Sequence, residues 1–408
     1  MPLGSARGGE SDKPAEKAAS ASRMKSARAC SLPEELIAAV GPVADSLALN
    51  HGGRQVEAVI RHRRLEPVDG EAQWLVEKRL TASRFGPPAR ELFFYSRIAP
   101  FIRLKPLDLP RLYYAGRVGR ADYLLLEWLE GDTPRLSKEL QRLGRGIATL
   151  EASSSRWLAS LPREERTRLE PLNFFRSWWQ RGGFRYAYVL YLPRTMLRRG
   201  LLMSQRRRFF RVAKLLFRLE RRVRRDPACV CHLDLSGKNL ILGEDRLSVI
   251  DWGEACLGRP GFDVGALLAL LARRSPQRHH ERARGRLLKT HEAALVKRAP
   301  ELLAAARRGR AYYMACSLLF YLARGEHAER DVWLLELIEE DLEAALAEPD
   351  TTAPAAQDTP PADQAGGDKG TQGGKVKGEK QQAKRHHPEA QDGQEAKKAA
   401  EKEKHAQR

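Results

Sequence analysis

The stretch Val230-Cys231-His232-Leu233-Asp234-Leu235-Ser236-Gly237-Lys238-Asn239-Leu240-Ile241-Leu242, followed by Leu247-Ser248-Val249-Ile250-Asp251-Trp252-Gly253, gathers two carboxylates, an amide and an imidazole among short apolar runs. A hydroxyl that attacks the γ-phosphate of a nucleotide must be positioned, must lose its proton to a carboxylate, and needs metal ions to neutralise developing charge. Asp234 follows an apolar run on a loop, where it can face a hydroxyl as the base or orienting group. Asn239 offers a neutral oxygen, and Asp251, closing the next apolar run, offers an anionic one. Such hard oxygen ligands, completed by phosphate, suit magnesium. His232 is the fourth candidate of this catalytic loop and is better suited to bracing it than to performing chemistry. An acidic residue after a strand is ordinarily a turn former. The joint spacing of Asp234, Asn239, Asp251 and Gly253 is what favours the chemical reading over that one.

Those residues need a frame. Ser31-Leu32-Pro33-Glu34 reads as a capping box that starts a first helix. Residues 56–63 and 73–80 have strand character around the turn-rich Glu66-Pro67-Val68-Asp69-Gly70, a hairpin pattern. Pro87-Pro88 opens a helix over 89–98, because proline suits a first turn whose donors lack partners. Strands at 111–117 and 123–129 follow, and Gly131-Asp132-Thr133-Pro134 breaks the chain before a long helical pattern. Helices then continue, interrupted by one hairpin within 230–250 around the turn Gly243-Glu244-Asp245. The expected architecture is α+β and bilobal, with a small sheet-containing lobe over 31–130 and a mostly helical lobe over 131–348 that carries the catalytic hairpin. Residues 1–30 read as a disordered leader, with Met24 a candidate start. Residues 349–408, rich in Pro, Gly, Gln, Lys and Glu and nearly free of large apolar side chains, read as a disordered tail.

The motif His232-x-Asp234-x-x-x-x-Asn239, then Ile250-Asp251-x-Gly253, resembles the aminoglycoside phosphotransferase and choline kinase-like family, distant relatives of protein kinases. Glu254 to Asp263 is similar to that family's continuation, in which a Gly-x-Pro turn precedes an aspartate that starts a helix; Asp263 is read as an N-cap and loop brace. The resemblance implies a protein kinase-like fold with ATP between two lobes and Mg as cofactor. It implies that Lys78 contacts the α- and β-phosphates and pairs with Glu91 on the next helix. It also implies that Gly52 and Gly53 cover the phosphates and that backbone groups around Glu127, Trp128 and Leu129 hold the adenine edge. A Gly-Gly pair serves equally as an ordinary hairpin turn. One departure stands out: many protein kinases carry lysine two positions after the catalytic aspartate, and here that position is Ser236, as in the small-molecule branch. The implied activity is ATP- and magnesium-dependent phosphorylation of a hydroxyl on a small molecule or sugar, with a lipopolysaccharide core sugar as one subclass. A nucleotide-binding pseudokinase or scaffold is the alternative.

Composition narrows the partners. The 408 residues carry five cysteines and a formal charge of +20. Sparse cysteines argue against a disulfide framework and for a reducing, cytoplasmic setting. Cys229, Cys231, His232 and Cys256 lack a second matched pair, so buried thiols explain them better than zinc. The positive charge implies an anionic partner and disfavours a polycationic acceptor such as an aminoglycoside. Residues 194–225 interleave arginines with Leu201, Leu202, Phe209, Phe210, Val212, Leu215, Leu216 and Leu219 at amphipathic spacing. That pattern fits either a solvated helix packed on its apolar side or a peripheral contact with an anionic membrane face or glycolipid. No nucleic-acid module accompanies the basic residues, which leaves nucleic acid a poor candidate.

Overall fold

The computed structural model describes residues 32–49, 56–68, 70–80, 90–119, 121–176, 203–324 and 328–349. The expected leader, the expected tail beyond Pro349, Ser31, Gly52, Gly53, Asp69, Pro87-Pro88 and residues 194–202 lie outside the described residues.

The chain opens with α1 (Glu34–Val40), β1 (Val43–Leu49), β2 (Val56–Arg64) and β3 (Trp74–Leu80). The N-cap of α1 is Pro33, without a side-chain capping bond. A short helix α2 (Arg90–Phe93) runs into a π-helical turn, Phe94–Ile98; then come β4 (Leu107–Asp108), β5 (Leu112–Val118) and β6 (Ala121–Glu127). Five strands form one antiparallel sheet in the order β1-β2-β3-β6-β5. Strand β1, which no pattern in the sequence foretold, is its edge; its burial does not alternate cleanly, so period two is weak there.

Alternation in β3 and β6 divides the sheet into two faces. Leu75 and Leu125 pack with Leu36 and Val40 of α1, while Leu80, Leu124 and Leu126 join the main core with Phe94 and Ile98. Lys78 pairs with Leu124 in the β3–β6 register and shares the face of Leu80. On the α1 side, Glu77 is wholly buried, and its carboxylate accepts bonds from His62 (2.7 Å) and Arg79 (2.6 Å). A buried charge persists only where such partners satisfy it.

After Gly131 the chain is mostly helical: α3 (Leu136–Ser160), α4 (Arg163–Arg168), α5 (Met203–Val223), α6 (Phe262–Arg274), α7 (Gln277–Arg298), α8 (Leu303–Arg324) and α9 (Ala328–Ala347). Between α5 and α6 lie β7 (Cys229–Cys231), β8 (Leu240–Leu242), β9 (Leu247–Val249) and β10 (Cys256–Gly258). The hairpin expected within 230–250 is formed by β8 and β9 alone. Strand β7 pairs with β10 instead, and β9 also takes β4 as a parallel partner. Gly131 (φ +149°) marks the passage from sheet to helices, where a Cβ would fall 2.3 Å from the Leu242 carbonyl oxygen. The next residue, Asp132, bridges to Leu242. Among the described residues no helix is long and apolar enough to cross a membrane.

Candidate active site

The loop between β7 and β8 holds His232, Asp234 and Asn239, and its shape is fixed from below by a buried carboxylate. Asp263 lies in the first turn of α6, where Gly261 is the N-cap, so the expected capping role belongs to Gly261. The Asp263 carboxylate accepts the backbone N–H of His232 at 3.0 Å and that of Leu233 at 2.6 Å. Leu233 has φ +68°. A left-handed leucine costs about 1–2 kcal/mol, which the bond to its N–H helps offset. Burial raises the Asp263 pKa to about 7, although the two N–H donors pull it back down.

His232 is fully buried, and both ring nitrogens are committed to backbone. Nε2 lies 3.0 Å from the Ile250 carbonyl, an acceptor, so Nε2 carries the hydrogen; Nδ1 then accepts the N–H of Asp234 at 3.2 Å. Burial lowers the His232 pKa despite the Ile250 carbonyl and the charges of Asp234 and Asp251, which keeps the ring neutral at pH 7. A neutral ring bonded on both sides holds the loop and has no proton to exchange with a ligand.

Asn239 ends the turn Gly237–Asn239 and reaches back to Asp234. Its Nδ2 donates to the Asp234 carbonyl (2.8 Å) and to Asp234 Oδ2 (2.9 Å). With the amide nitrogen so committed, Oδ1 is left for a ligand. The Ile250 N–H donates to the Asn239 carbonyl at 3.0 Å. Ile250 is therefore held from both sides, by His232 and by Asn239, and Asp251 follows it directly. Asp251 has φ +61° and makes no capping bond to the turn it opens. Its charge acts on His232, Lys78 and Lys238, so one carboxylate is felt by groups from both lobes.

From the sheet, Lys78 Nζ donates to Glu91 Oε1 at 2.6 Å. Burial would lower the Lys78 pKa, but Glu91 and then Asp251 more than offset it, and the ammonium is held above its ordinary value. The helix carrying Glu91 docks through aromatic packing: Phe94 stacks on Trp252 at 3.7 Å, and His232 meets the same indole edge-on at 4.6 Å. Trp252 is fully buried and joins Glu91's helix, the His232 loop and the Asp251 turn in one packed unit.

Sequence reasoning passed over Trp252, and it passed over Lys238, whose Nζ donates to Asp234 Oδ2 at 2.8 Å. For Lys238 the spacing i to i+4 from Asp234 was the available signal. For Trp252 the signal was its place directly after Asp251.

At the expected adenine segment, the Glu127 N–H donates to the Arg111 carbonyl (2.8 Å) and the Trp128 N–H to the Trp74 carbonyl (3.0 Å). Two of the three amide donors there thus serve the sheet. The Glu127 side chain accepts bonds from Arg246 and from the Arg111 N–H.

A metal would find Asn239 Oδ1 and the Asp251 carboxylate, both oxygen donors. Among the described residues no group of three His, Cys, Asp or Glu is gathered to hold one. A hard cation that takes the rest of its shell from phosphate and water fits that donor set.

The model of the phosphotransferase enzyme family matches residues 68–301, more than half the chain. No curated protein matches. Among solved structures, the chain is similar to a thermostable mutant of the aminoglycoside phosphotransferase APH(4)-Ia in ternary complex with ADP and hygromycin B, at 14% identity over 76% of this chain and 97% of that one, TM-score 0.39. It is similar to ADP-bound aminoglycoside phosphotransferase APH(2'')-Ib at 16% identity over 76% and 96%, TM-score 0.40. Spectinomycin phosphotransferase APH(9)-Ia with ADP and spectinomycin follows at 12% identity over 77% and 96%, TM-score 0.42.

Proposed function

Because the chain belongs to the phosphotransferase enzyme family, and so is a kinase acting on hydroxyl groups, we propose that it moves the γ-phosphate of ATP to a sugar or amino-alcohol hydroxyl with Asp234 as base. The observation that carries this reading is the knot of Asp234, Asn239 and Asp251, tied through Asn239 Nδ2 to one carboxylate and through Ile250 to the other. Asp234 orients the acceptor hydroxyl and takes its proton as the oxygen attacks phosphorus. Lys78, held by Glu91, cradles the α- and β-phosphates, and the carbonyls around Glu127 to Leu129 meet the base. Asn239 Oδ1 and Asp251 would hold magnesium, which would supply neutralisation of charge on the phosphate oxygens.

The test is Asp234→Ala in a strain otherwise intact, with phosphorylated metabolites and glycolipids compared against wild type. One phosphorylated species disappears while the purified variant keeps its unfolding midpoint; a positioned base contributes about 10²–10⁴ in rate. Undiminished phosphorylation by the variant defeats the assignment. If the wild type shows no turnover across a panel of sugar and amino-alcohol acceptors, the chain is a nucleotide-binding scaffold.

A finer reading concerns where the acceptor is met. Helix α5 presents Phe210 and Phe217, 65% and 43% exposed, on one side. Lys214, Arg218 and Arg221, all exposed on the same helix, make no ion pair among the described residues. Two aromatic rings between cations suit the surface of an anionic bilayer, which favours a glycolipid sugar such as a lipopolysaccharide core sugar as acceptor. The full chain then sediments with vesicles containing anionic lipid and is released by salt. Equal sedimentation with neutral vesicles removes this reading and leaves the kinase assignment untouched.

A further inference from the structure

The position two residues after Asp234 is Ser236, a buried hydroxyl, and it brings no positive charge to the transferring phosphate. The structure nonetheless sets an ammonium beside Asp234 from a different place in the chain. Lys238 sits on the turn between Asp234 and Asn239, and its Nζ lies 2.8 Å from Asp234 Oδ2, the oxygen that also receives Asn239 Nδ2. Its side chain is 68% exposed, so the stem is not packed and can swing. The bond to Asp234 raises its pKa, burial opposes the rise, and the charges of Asp234 and then Asp251 add to it, so it stays a cation at neutral pH. The ammonium therefore stands in the field of both carboxylates that the proposed reaction uses.

An exposed lysine–aspartate pair contributes little to stability. Its position is informative for another reason. A carboxylate that must receive a proton is a poor base while an ammonium is bonded to the same oxygen. A γ-phosphate brought beside it carries more negative charge and more acceptor oxygens, and draws the ammonium off.

Resting on the phosphotransferase reading above, we propose that Lys238 is a catalytic residue of this kinase: its ammonium leaves Asp234 when ATP binds and donates a hydrogen bond to a γ-phosphoryl oxygen. In the transfer the bond from phosphorus to the β-bridging oxygen breaks, the bond to the acceptor oxygen forms, the acceptor proton goes to Asp234, and ADP leaves. Lys238 keeps its proton throughout and stabilises charge on the moving phosphoryl group. The exchange of partners also ties the freeing of the base to the arrival of the phosphate.

The γ-phosphate is what distinguishes ATP from ADP, so the test needs no acceptor. Affinities of the full-length wild type, Lys238→Met and Lys238→Arg for AMP-PNP and for ADP, each with magnesium, are measured by titration calorimetry. Lys238→Met loses about 10-fold or more in affinity for AMP-PNP, as expected for one charge-assisted hydrogen bond, and changes by less than about 2-fold for ADP. Lys238→Arg keeps most of the preference. An unchanged ratio of the two affinities in Lys238→Met, or equal loss for both nucleotides, overturns the proposal while the cleft assignment stands. If the wild type binds neither nucleotide, the cleft assignment itself falls, and this inference with it.

Discussion

Two sets of charged groups hold the helical lobe together, and they do so by opposite means. Beneath the catalytic loop, Asp263 is buried at α6 and bonded only to backbone N–H groups of His232 and Leu233. Between α5 and α9, Arg208 reaches Glu336 (2.7 Å) and Glu339 (2.9 Å), while Arg211 reaches Glu339 (3.0 Å) and Glu343, in a ladder partly open to solvent. The buried set has one acid and no compensating side-chain cation bonded to it, and it fixes a loop to within a bond length. The exposed set has many charges and fixes only the approach of two helices that apolar residues already pack. Number of charges and structural consequence run in opposite directions, because water replaces a lost partner in the second set and not in the first.

The strongest way to break this contrast is Asp263→Ala. Two buried N–H donors lose their acceptor, each costing about 1–3 kcal/mol, while Leu233 stays left-handed without its compensating bond. The expected loss of unfolding free energy is about 3 kcal/mol or more, read by denaturant titration, with phosphorylation abolished even where the variant still folds. A loss below about 1 kcal/mol would place Asp263 in the same class as the exposed ladder.

The pH dependence sharpens the same point. The Asp263 pKa rises from the ordinary 3.8 to about 7 on folding, so the folded chain takes up a proton that the unfolded chain does not. The sign follows: this group's contribution is full below the unfolded value and is lost as pH rises toward 7. Asp263→Asn removes the titration. Wild type therefore loses stability relative to Asp263→Asn as pH is raised from about 5 to about 8, at no more than about 1.4 kcal/mol per pH unit. A difference that is flat, or of the other sign, would show that the carboxylate is ionised throughout, held by its N–H donors against burial.

How much of this could be read from the chain alone follows the same division. The spacing of His232, Asp234, Asn239 and Asp251 was legible because the loop is short and its residues are near neighbours in sequence. Lys78 and Glu91 were legible through element order. Asp263 was half legible: its bracing of the loop was read correctly, its helix-capping role was not, and nothing local shows that its carboxylate reaches residues 30 positions upstream. Strand β1 was missed for want of alternation, and the β7–β10 pairing because it skips an intervening hairpin. The arginines of α5 looked uniform in the sequence. Arg208 and Arg211 proved to be paired with partners more than 120 positions away, which no helical periodicity can announce.

That last distinction yields the smallest effect and the most direct check on paired and unpaired cations along α5. Arg211 is 62% exposed, and of its partners on α9 Glu343 is 44% exposed and Glu339 12%. Arg211→Ala loses two ion pairs whose Coulomb energy is screened and whose formation ordered long side chains, so the cost is about 0.2–1 kcal/mol and shrinks further in high salt. Lys214→Ala, one turn further along, removes a cation that makes no ion pair among the described residues and leaves stability unchanged within about 0.5 kcal/mol. The pair separates the two uses of charge along one helix. Arg211→Ala lowers the unfolding free energy slightly and leaves vesicle binding as it was, whereas Lys214→Ala does the reverse, because a cation facing an anionic bilayer contributes about 1 kcal/mol to binding and nothing to folding. Equal effects of the two substitutions on vesicle sedimentation would show that α5 acts as an undivided patch of charge.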